Sequence, residues 1–90
     1  MLVVFPRMSK QTDLKDWPYM EQSGKVLKNP PSTWDAYPDT LAGIKAIIDM
    51  EYQEFVNAYT TGKPKEEIMQ ELVHLGSATL ALWRKYHAAQ

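Results

Sequence analysis

The stretch "EYQEFVNAYTTGKPKEEIMQELVHL", residues 51–75, decides the fold predicted for this chain. Two pairs of polar residues, each pair three residues apart, flank its central turn: Glu51, Glu54, Glu71 and His74. Gly62 suits the left-handed residue that ends a helix, and Pro64 suits the first turn of the helix that follows. The stretch therefore predicts the end of one helix, a tight turn and the start of a second helix.

Apolar residues recur at spacings of three, four and seven on both sides of this turn, which is the pattern of amphipathic helices. In the first helix they are Leu41, Ile44, Ile48, Phe55 and Tyr59. In the second they are Ile68, Leu72, Leu75, Thr79, Leu82 and Tyr86. Asp39 or Thr40 can cap the first helix, which we expect to end near Tyr59, and the second should reach about His87. The short connection predicts an all-α fold built on an antiparallel helical hairpin.

Residues 1–37 differ from this hairpin in composition. Four of the six prolines and several large aromatic residues lie there. We expect an irregular aromatic segment with short helical turns around residues 13–22, broken or kinked at Pro18, that wraps over the helices. The prediction is thus a single domain with an N-terminal wrap, residues 1–37, and a helical hairpin, residues 38–90.

The bulk properties limit the class of protein. A chain of 90 residues buries a marginal core, and with no cysteine it has no disulfide or thiolate zinc site to compensate. We therefore expect a homodimer or homotetramer that completes a helical bundle. A net charge of −1, without a block of like charge, predicts no nucleic-acid or membrane partner. The expected location is the cytoplasm, because the absence of cysteine fits a reducing compartment.

A second apolar set on the second helix has two interpretations. It consists of Met69, Val73 and Leu80 with Gly76, roughly opposite Glu71. The interpretation we favour is a subunit interface, where the small Gly76 permits close approach. The alternative is cover by the chain's own aromatic N-terminal segment.

The four polar residues around the turn are expected to converge. Glu54 lies eight residues before Gly62 and Glu71 nine after it, so the two stand at nearly equal heights on antiparallel helices. Glu51 and His74 form a second such level. Glu51 also falls within the apolar arc of its helix, where an unpaired carboxylate is costly. A cluster of carboxylates suits a divalent cation such as Mg²⁺. Solvated glutamates and a hydrogen-bonded structural histidine are the alternative interpretation.

These residues resemble the motif of the MazG-like, all-α nucleotide pyrophosphohydrolases. In that family two glutamates lie three apart on one helix, and Glu-x-x-Asp follows on the next. Here the first helix reads "MEYQEF", residues 50–55, and the second reads "ELVHL", residues 71–75. The motif is degenerate, because Met50 replaces an acid, Gln53 a glycine and His74 the aspartate. The resemblance covers about residues 41–86.

The resemblance implies a function and a role for each matching residue. Glu51, Glu54 and Glu71 would hold Mg²⁺, with Mn²⁺ as the alternative ion. His74 would be a further ligand or a hydrogen-bond partner of the ligands, and Glu54 would be the catalytic residue. The implied reaction is hydrolysis of a nucleoside triphosphate to the monophosphate and pyrophosphate, with the nucleotide as partner. The alternative is a non-catalytic helical oligomer or binding protein that retains the fold without the activity.

Overall fold

The computed structural model describes residues 16–88, which form three α-helices and one 3₁₀ turn and contain no strand. The helices are α1, Trp17–Lys28, α2, Leu41–Thr60, and α3, Lys65–Ala88, and the 3₁₀ turn spans Ser32–Ala36. The predicted all-α class is confirmed. The part of the predicted N-terminal wrap that falls in residues 1–15 lies outside the described residues.

Local signals explain where α2 and α3 begin and end. Thr40 caps α2, because its Oγ1 accepts a hydrogen bond of 3.0 Å from the Gly43 amide. After α2 ends at Thr60, Gly62 adopts a φ of 71°, the left-handed conformation that glycine adopts without steric cost. A 2.8 Å ion pair between Asp39 and Lys85 joins the start of α2 to the last turns of α3, so the two helices run antiparallel.

The prediction of short, broken helical turns in the N-terminal region is wrong for the residues that the structure describes. Residues 17–28 form a continuous helix of 12 residues. Pro18 stands in its first turn, where the missing amide proton would have no partner within the helix. Gly24 lies in its interior, which costs about 1 kcal/mol relative to alanine but does not interrupt the helix.

Helix α1 covers part of the second apolar set on α3, which corrects the favoured subunit-interface interpretation. Tyr19 lies directly on Gly76, where a Cβ atom would overlap the tyrosine hydroxyl. One turn further along α1, the buried Ser77 hydroxyl lies 3.2 Å from the Ser23 carbonyl oxygen. The small residue at position 76 therefore allows close approach of the chain's own helix. Met69, at the edge of this set, stays exposed.

The buried core is small, and its composition is unusual. Within residues 16–88 the buried apolar residues are Ile44, Ile47, Ala58 and Ala78. The largest fully buried side chains are Glu51 and Ser77. Several members of the predicted apolar stripes, by contrast, are exposed, with Tyr59 67% exposed. Ile44 of these stripes lies in the seam between α2 and α3, whereas the outer apolar face of the hairpin carries the exposed Leu41, Tyr52, Tyr59, Leu72 and Tyr86. No helix in the described part of the chain is both long and apolar enough to cross a membrane.

Candidate metal centre

Glu51 is the centre of the site. It lies in the middle of α2 and points into the seam with α3, where its side chain is only 1% exposed. The seam-facing residues of α2 follow helical spacing, so Glu51 takes a position that an aliphatic residue would otherwise fill. A buried carboxylate is strongly unfavourable unless it is paired or hydrogen-bonded. Its neighbours therefore decide what the position does.

Trp34, in the 3₁₀ turn, supplies one partner for Glu51. Its indole Nε1 donates a hydrogen bond of 2.7 Å to Glu51 Oε2, which is short for an N–H donor and typical of a bond to a charged acceptor. The connection between α1 and α2 thereby fixes one carboxylate oxygen. The other oxygen, Glu51 Oε1, is buried and makes no hydrogen bond to any residue from 16 to 88.

Two residues of α3 meet this second oxygen. His74 Nδ1 lies 3.9 Å from Glu51 Oε1 and 4.0 Å from Glu71 Oε1. Glu71 Oε1 is also buried and without a hydrogen-bond partner in the described part of the chain. The three residues each offer one ligand atom, and these atoms all lie within 4.8 Å of one another. Two unpartnered carboxylate oxygens thus lie about equally far from one imidazole nitrogen.

The surroundings of Glu71 raise the pKa of its carboxyl group. Burial is the main cause, because desolvation disfavours the charged form. The negative charge of Glu54 adds to this effect, whereas His74 opposes it, and Glu51 and Glu67 contribute smaller increases. The site therefore concentrates negative charge in a poorly solvated place. A bound cation would relieve both the repulsion and the desolvation.

Glu54 stands beside this cluster and not within it. It lines an open cleft of about 450 Å³ near the turn, together with Lys63, Glu67 and Glu71. Glu54 precedes Ala58 by one helical turn on the flank of the seam and is half-buried. Glu71 lines this cleft and also belongs to the three-residue cluster, so the cleft and the cluster adjoin each other at Glu71.

The predicted convergence holds for three of the four residues. Glu51, Glu71 and His74 come together. Glu51 and His74 lie side by side on the two antiparallel helices, as their nearly equal distances from the turn predicted. Glu54 lines the same cleft as Glu71 but is not one of the three grouped ligands. The contribution of Trp34 to the site was missed, because the sequence assigned it only to an aromatic wrap. The one available signal was that a glutamate in an apolar arc needs a donor.

Comparisons with protein-family models, with curated proteins and with solved structures find no match to this chain. The resemblance to the MazG-like pyrophosphohydrolases accordingly stays a hypothesis that rests on Glu51, Glu54 and Glu71.

Proposed function

We propose that this protein binds a divalent cation between α2 and α3 and acts as a MazG-like nucleoside triphosphate pyrophosphohydrolase, or is a degenerate relative of one. One observation carries the proposal. The buried oxygens Glu51 Oε1 and Glu71 Oε1 lack hydrogen-bond partners within the described residues and lie beside the same His74 nitrogen. Unpartnered buried carboxylate oxygens are rare in proteins and call for a specific compensation, which a cation provides.

The spacing of the donor atoms supports this assignment. An octahedral ion bound at about 2.1 Å holds adjacent donors about 3.0 Å apart and opposite donors about 4.2 Å apart. The distances from His74 Nδ1 to Glu51 Oε1 and Glu71 Oε1, 3.9 and 4.0 Å, fall within that range, and each of the three residues offers a ligand atom within 4.8 Å of the others. Side-chain movements of about 1 Å would therefore suffice for coordination.

The donor set favours a softer ion than the Mg²⁺ predicted from the resemblance. Carboxylates suit Mg²⁺ and Mn²⁺ alike, whereas imidazole favours transition metals. Because His74 stands where the family has aspartate, we expect Mn²⁺ to bind more tightly than Mg²⁺. Trp34 already occupies Glu51 Oε2, so Glu51 would act as a ligand through one oxygen only.

A bound cation would offset the three carboxylates that line the adjacent cleft, Glu54, Glu67 and Glu71, so that the cleft would accept the phosphates of a nucleotide. A bound cation would polarise a phosphoryl group and lower the pKa of an attacking water. Lys63 offers the positive charge of the cleft lining, and an ammonium group commonly contacts phosphate. Glu54, on the same lining, would accept the proton of the water. In this assignment Glu51, Glu71 and His74 hold the ion, and Glu54 is the catalytic base.

A second candidate function is a non-catalytic helical protein that keeps the site without the activity. The replacement of aspartate by His74 favours it, because the change removes one negative charge from the ligand set. The bond from Trp34 to Glu51 favours it as well, because it removes an oxygen from coordination. Such a protein would bind the cation for stability alone.

Thermal unfolding with added Mn²⁺ or Mg²⁺ tests the binding step. A ligand present at 50 times its Kd adds about 2 kcal/mol to the stability of the folded state, which raises Tm by about 10 °C in a domain of this size. We expect this increase for the unmodified chain and none for Glu71→Gln. Glu66→Gln is the matched control, because Glu66 lies on the same helix but is exposed and outside the cluster. No increase in Tm with either metal would refute the cation site.

Pyrophosphate release from a panel of nucleoside triphosphates then separates the two functions. Hydrolysis that requires the metal and is lost in Glu54→Gln, while the variant still shows the metal-induced increase in Tm, supports the pyrophosphohydrolase. Binding of metal without hydrolysis of any nucleotide in the panel supports the non-catalytic alternative.

A further inference from the structure

We propose that the cleft between α1 and α3 is a second binding site, which takes a neutral, planar aromatic molecule with one hydrogen-bonding group. The cleft has a volume of about 620 Å³, within the range of small-molecule sites in proteins. None of its lining residues belongs to the cluster of Glu51, Glu71 and His74. The inference therefore goes beyond the proposed function and does not depend on it.

One face of each helix builds the cleft. On α1, Trp17, Met20 and Gly24 line it at successive spacings of three and four residues. On α3, Leu80 and Trp83 line it in the turns that follow Gly76. Residues at these spacings share a face of a helix, so the lining is set by the course of the two backbones. The cleft is accordingly formed before a ligand enters, as is usual for small-molecule sites.

The apolar walls of the cleft are open to solvent. Trp17 and Trp83, on opposite helices, are 57% and 61% exposed, and Met20 is 54% exposed. Exposed apolar surface that is grouped around a concave site marks a ligand groove. Indole rings pack best against other flat rings, and the flexible thioether of methionine adapts to them. The walls therefore suit a planar aromatic ligand.

Gly24 leaves space in the wall that α1 contributes. Glycine is unfavourable in the interior of a helix, so its presence there calls for a reason. Close packing within the described residues is not that reason, because a Cβ atom at position 24 would have no heavy atom within 4 Å. Gly76, on the opposite wall, is different, since Tyr19 lies directly on it. The absence of a side chain at position 24 keeps the cleft open.

Ser23 brings an unsatisfied polar group to the same cleft. It lines the cleft and is only 4% exposed, and its hydroxyl oxygen has no hydrogen-bond partner among residues 16–88. Its carbonyl oxygen, by contrast, accepts a hydrogen bond of 3.2 Å from the Ser77 hydroxyl. A buried hydroxyl without a partner is uncommon and costly. A hydroxyl or ring N–H of the ligand would supply the missing partner.

The charged groups of the cleft favour a ligand without net charge. Glu21 on α1 and Arg84 on α3 both line the cleft and are exposed. Because their charges are opposite, an ion of either sign would be attracted by one and repelled by the other. The remaining side chains of the lining are uncharged. The ligand class is therefore distinct from the nucleoside triphosphate proposed for the metal centre.

Titration of the isotope-labelled full chain with naphthol, followed by NMR, tests the proposal. The chain has three tryptophans, and each gives one indole N–H signal. Trp17 and Trp83 line the cleft, whereas Trp34 donates to Glu51 and lies outside it. We expect saturable shifts of the first two signals and none of the third, with a Kd in the micromolar to millimolar range that is usual for so small a ligand. The result should be the same with and without Mn²⁺.

A substitution that fills the cleft provides the matched comparison. Gly24→Leu should abolish the shifts, and its Tm should be no lower than that of the unmodified chain, because leucine is a better helix former than glycine. Gln22→Leu places the same side chain on the same helix, at an exposed position outside the cleft, and should leave the shifts unchanged. Ser23→Ala should weaken binding several-fold. Unaltered binding in Gly24→Leu would overturn the proposal.

Charged analogues of the same ring test the ligand class. Naphthoate and naphthylmethylamine carry opposite charges at neutral pH, and both should bind more weakly than naphthol at low salt. Tighter binding of either ion would overturn the assignment of a neutral ligand. The absence of any shift with millimolar naphthol would mean that residues 1–15 or a second copy fill the cleft. That result, or an equal shift of the Trp34 signal, would contradict the proposed site.

Discussion

Glu51 and Tyr52 are neighbours in the chain, yet they meet opposite environments. The glutamate is 1% exposed in the seam, whereas the tyrosine is 54% exposed on the outer apolar face. In an isolated helix at a protein surface, the polar residue would face water and the tyrosine the core. Hydrophobic burial within one chain therefore explains neither position. Under the proposed function, the buried carboxylate in the seam serves to bind a cation.

The two regions also differ in what stabilises them. The seam has a few small apolar contacts around a hydrogen-bonded carboxylate, so its stability depends on packing and on Trp34. The exposed side chains of the outer apolar face contribute little to stability within one chain. Substitutions in the seam should therefore lower stability strongly, whereas substitutions on the face should change it little.

The largest expected effect is a cavity in the seam. Ile47→Ala removes a buried side chain and should lower the free energy of unfolding by about 2 to 5 kcal/mol. Tyr59→Ala, measured in dilute solution, should change it by less than about 0.5 kcal/mol, because Tyr59 is mostly exposed in one chain. Urea unfolding at low and high concentration provides both values. Equal losses for the two variants in dilute solution would remove the distinction between seam and face.

The next effect concerns the partner of the buried glutamate. Trp34→Phe keeps the aromatic ring but removes the donor to Glu51 Oε2, which should cost about 1.5 to 3 kcal/mol, the usual range for a hydrogen bond to a charged group. Trp83→Phe is the control, because Trp83 is exposed and distant from the seam. Thermal unfolding of both variants gives the comparison. A loss no greater than that of the control would mean that Trp34 does not stabilise the buried carboxylate.

A smaller effect of opposite sign is expected at Glu71. Glu71→Gln removes a charge that is poorly solvated and repelled by Glu54, so the metal-free protein should gain about 1 kcal/mol. The same substitution should abolish the Tm increase with Mn²⁺. Calorimetry with and without the metal measures both changes. A metal-free variant less stable than the unmodified protein would show that Glu71 is a structural partner of His74.

The smallest expected effect is on pH dependence. The raised pKa of Glu71 means that the folded protein holds its proton more strongly than the unfolded chain does. The free energy of unfolding should therefore fall as pH rises from the ordinary carboxyl value of 4.5 through the raised value. The titratable groups that face Glu71 are the carboxylates of Glu51, Glu54 and Glu67 and the imidazole of His74. Binding of Mn²⁺ should strengthen over the same interval, with release of a proton.

Urea unfolding between about pH 4 and 7 checks this dependence. Glu71→Gln should reduce the decrease in the free energy of unfolding with rising pH, because Glu71 no longer titrates. Glu66→Gln, at an exposed position, should leave that decrease unchanged. An unchanged slope in Glu71→Gln would assign the dependence to a different group.

The hairpin was predictable because its signals are local. The cap at Thr40, the left-handed Gly62 and the apolar spacing each act within a few residues. The similar heights of Glu51 and His74 on the two helices also followed from counting residues outward from the turn. Helix α1 was not predicted. A proline in the interior of a helix disrupts it, whereas a proline in the first turn is tolerated, and the sequence alone does not show which of these positions Pro18 occupies.

The details of the site were less predictable because they depend on tertiary packing. The bond from Trp34 to Glu51 joins residues 17 apart, and the course of the connection between α1 and α2 decides it. The sequence favoured Gly76 as a residue of a subunit interface, whereas in the structure α1 of the same chain packs on it. Glu54 shares its motif with Glu51, but three residues rotate it by about 60° around α2, which is enough to move it from the cluster to the cleft.

The most direct test of the cation site is the anomalous signal of Mn²⁺ soaked into crystals of the full chain. We predict one ion in the seam, within about 2.5 Å of Glu51 Oε1, Glu71 Oε1 and His74 Nδ1. Manganese found only on the surface, with the two carboxyl groups sharing a proton or bound to ordered water, would contradict the assignment.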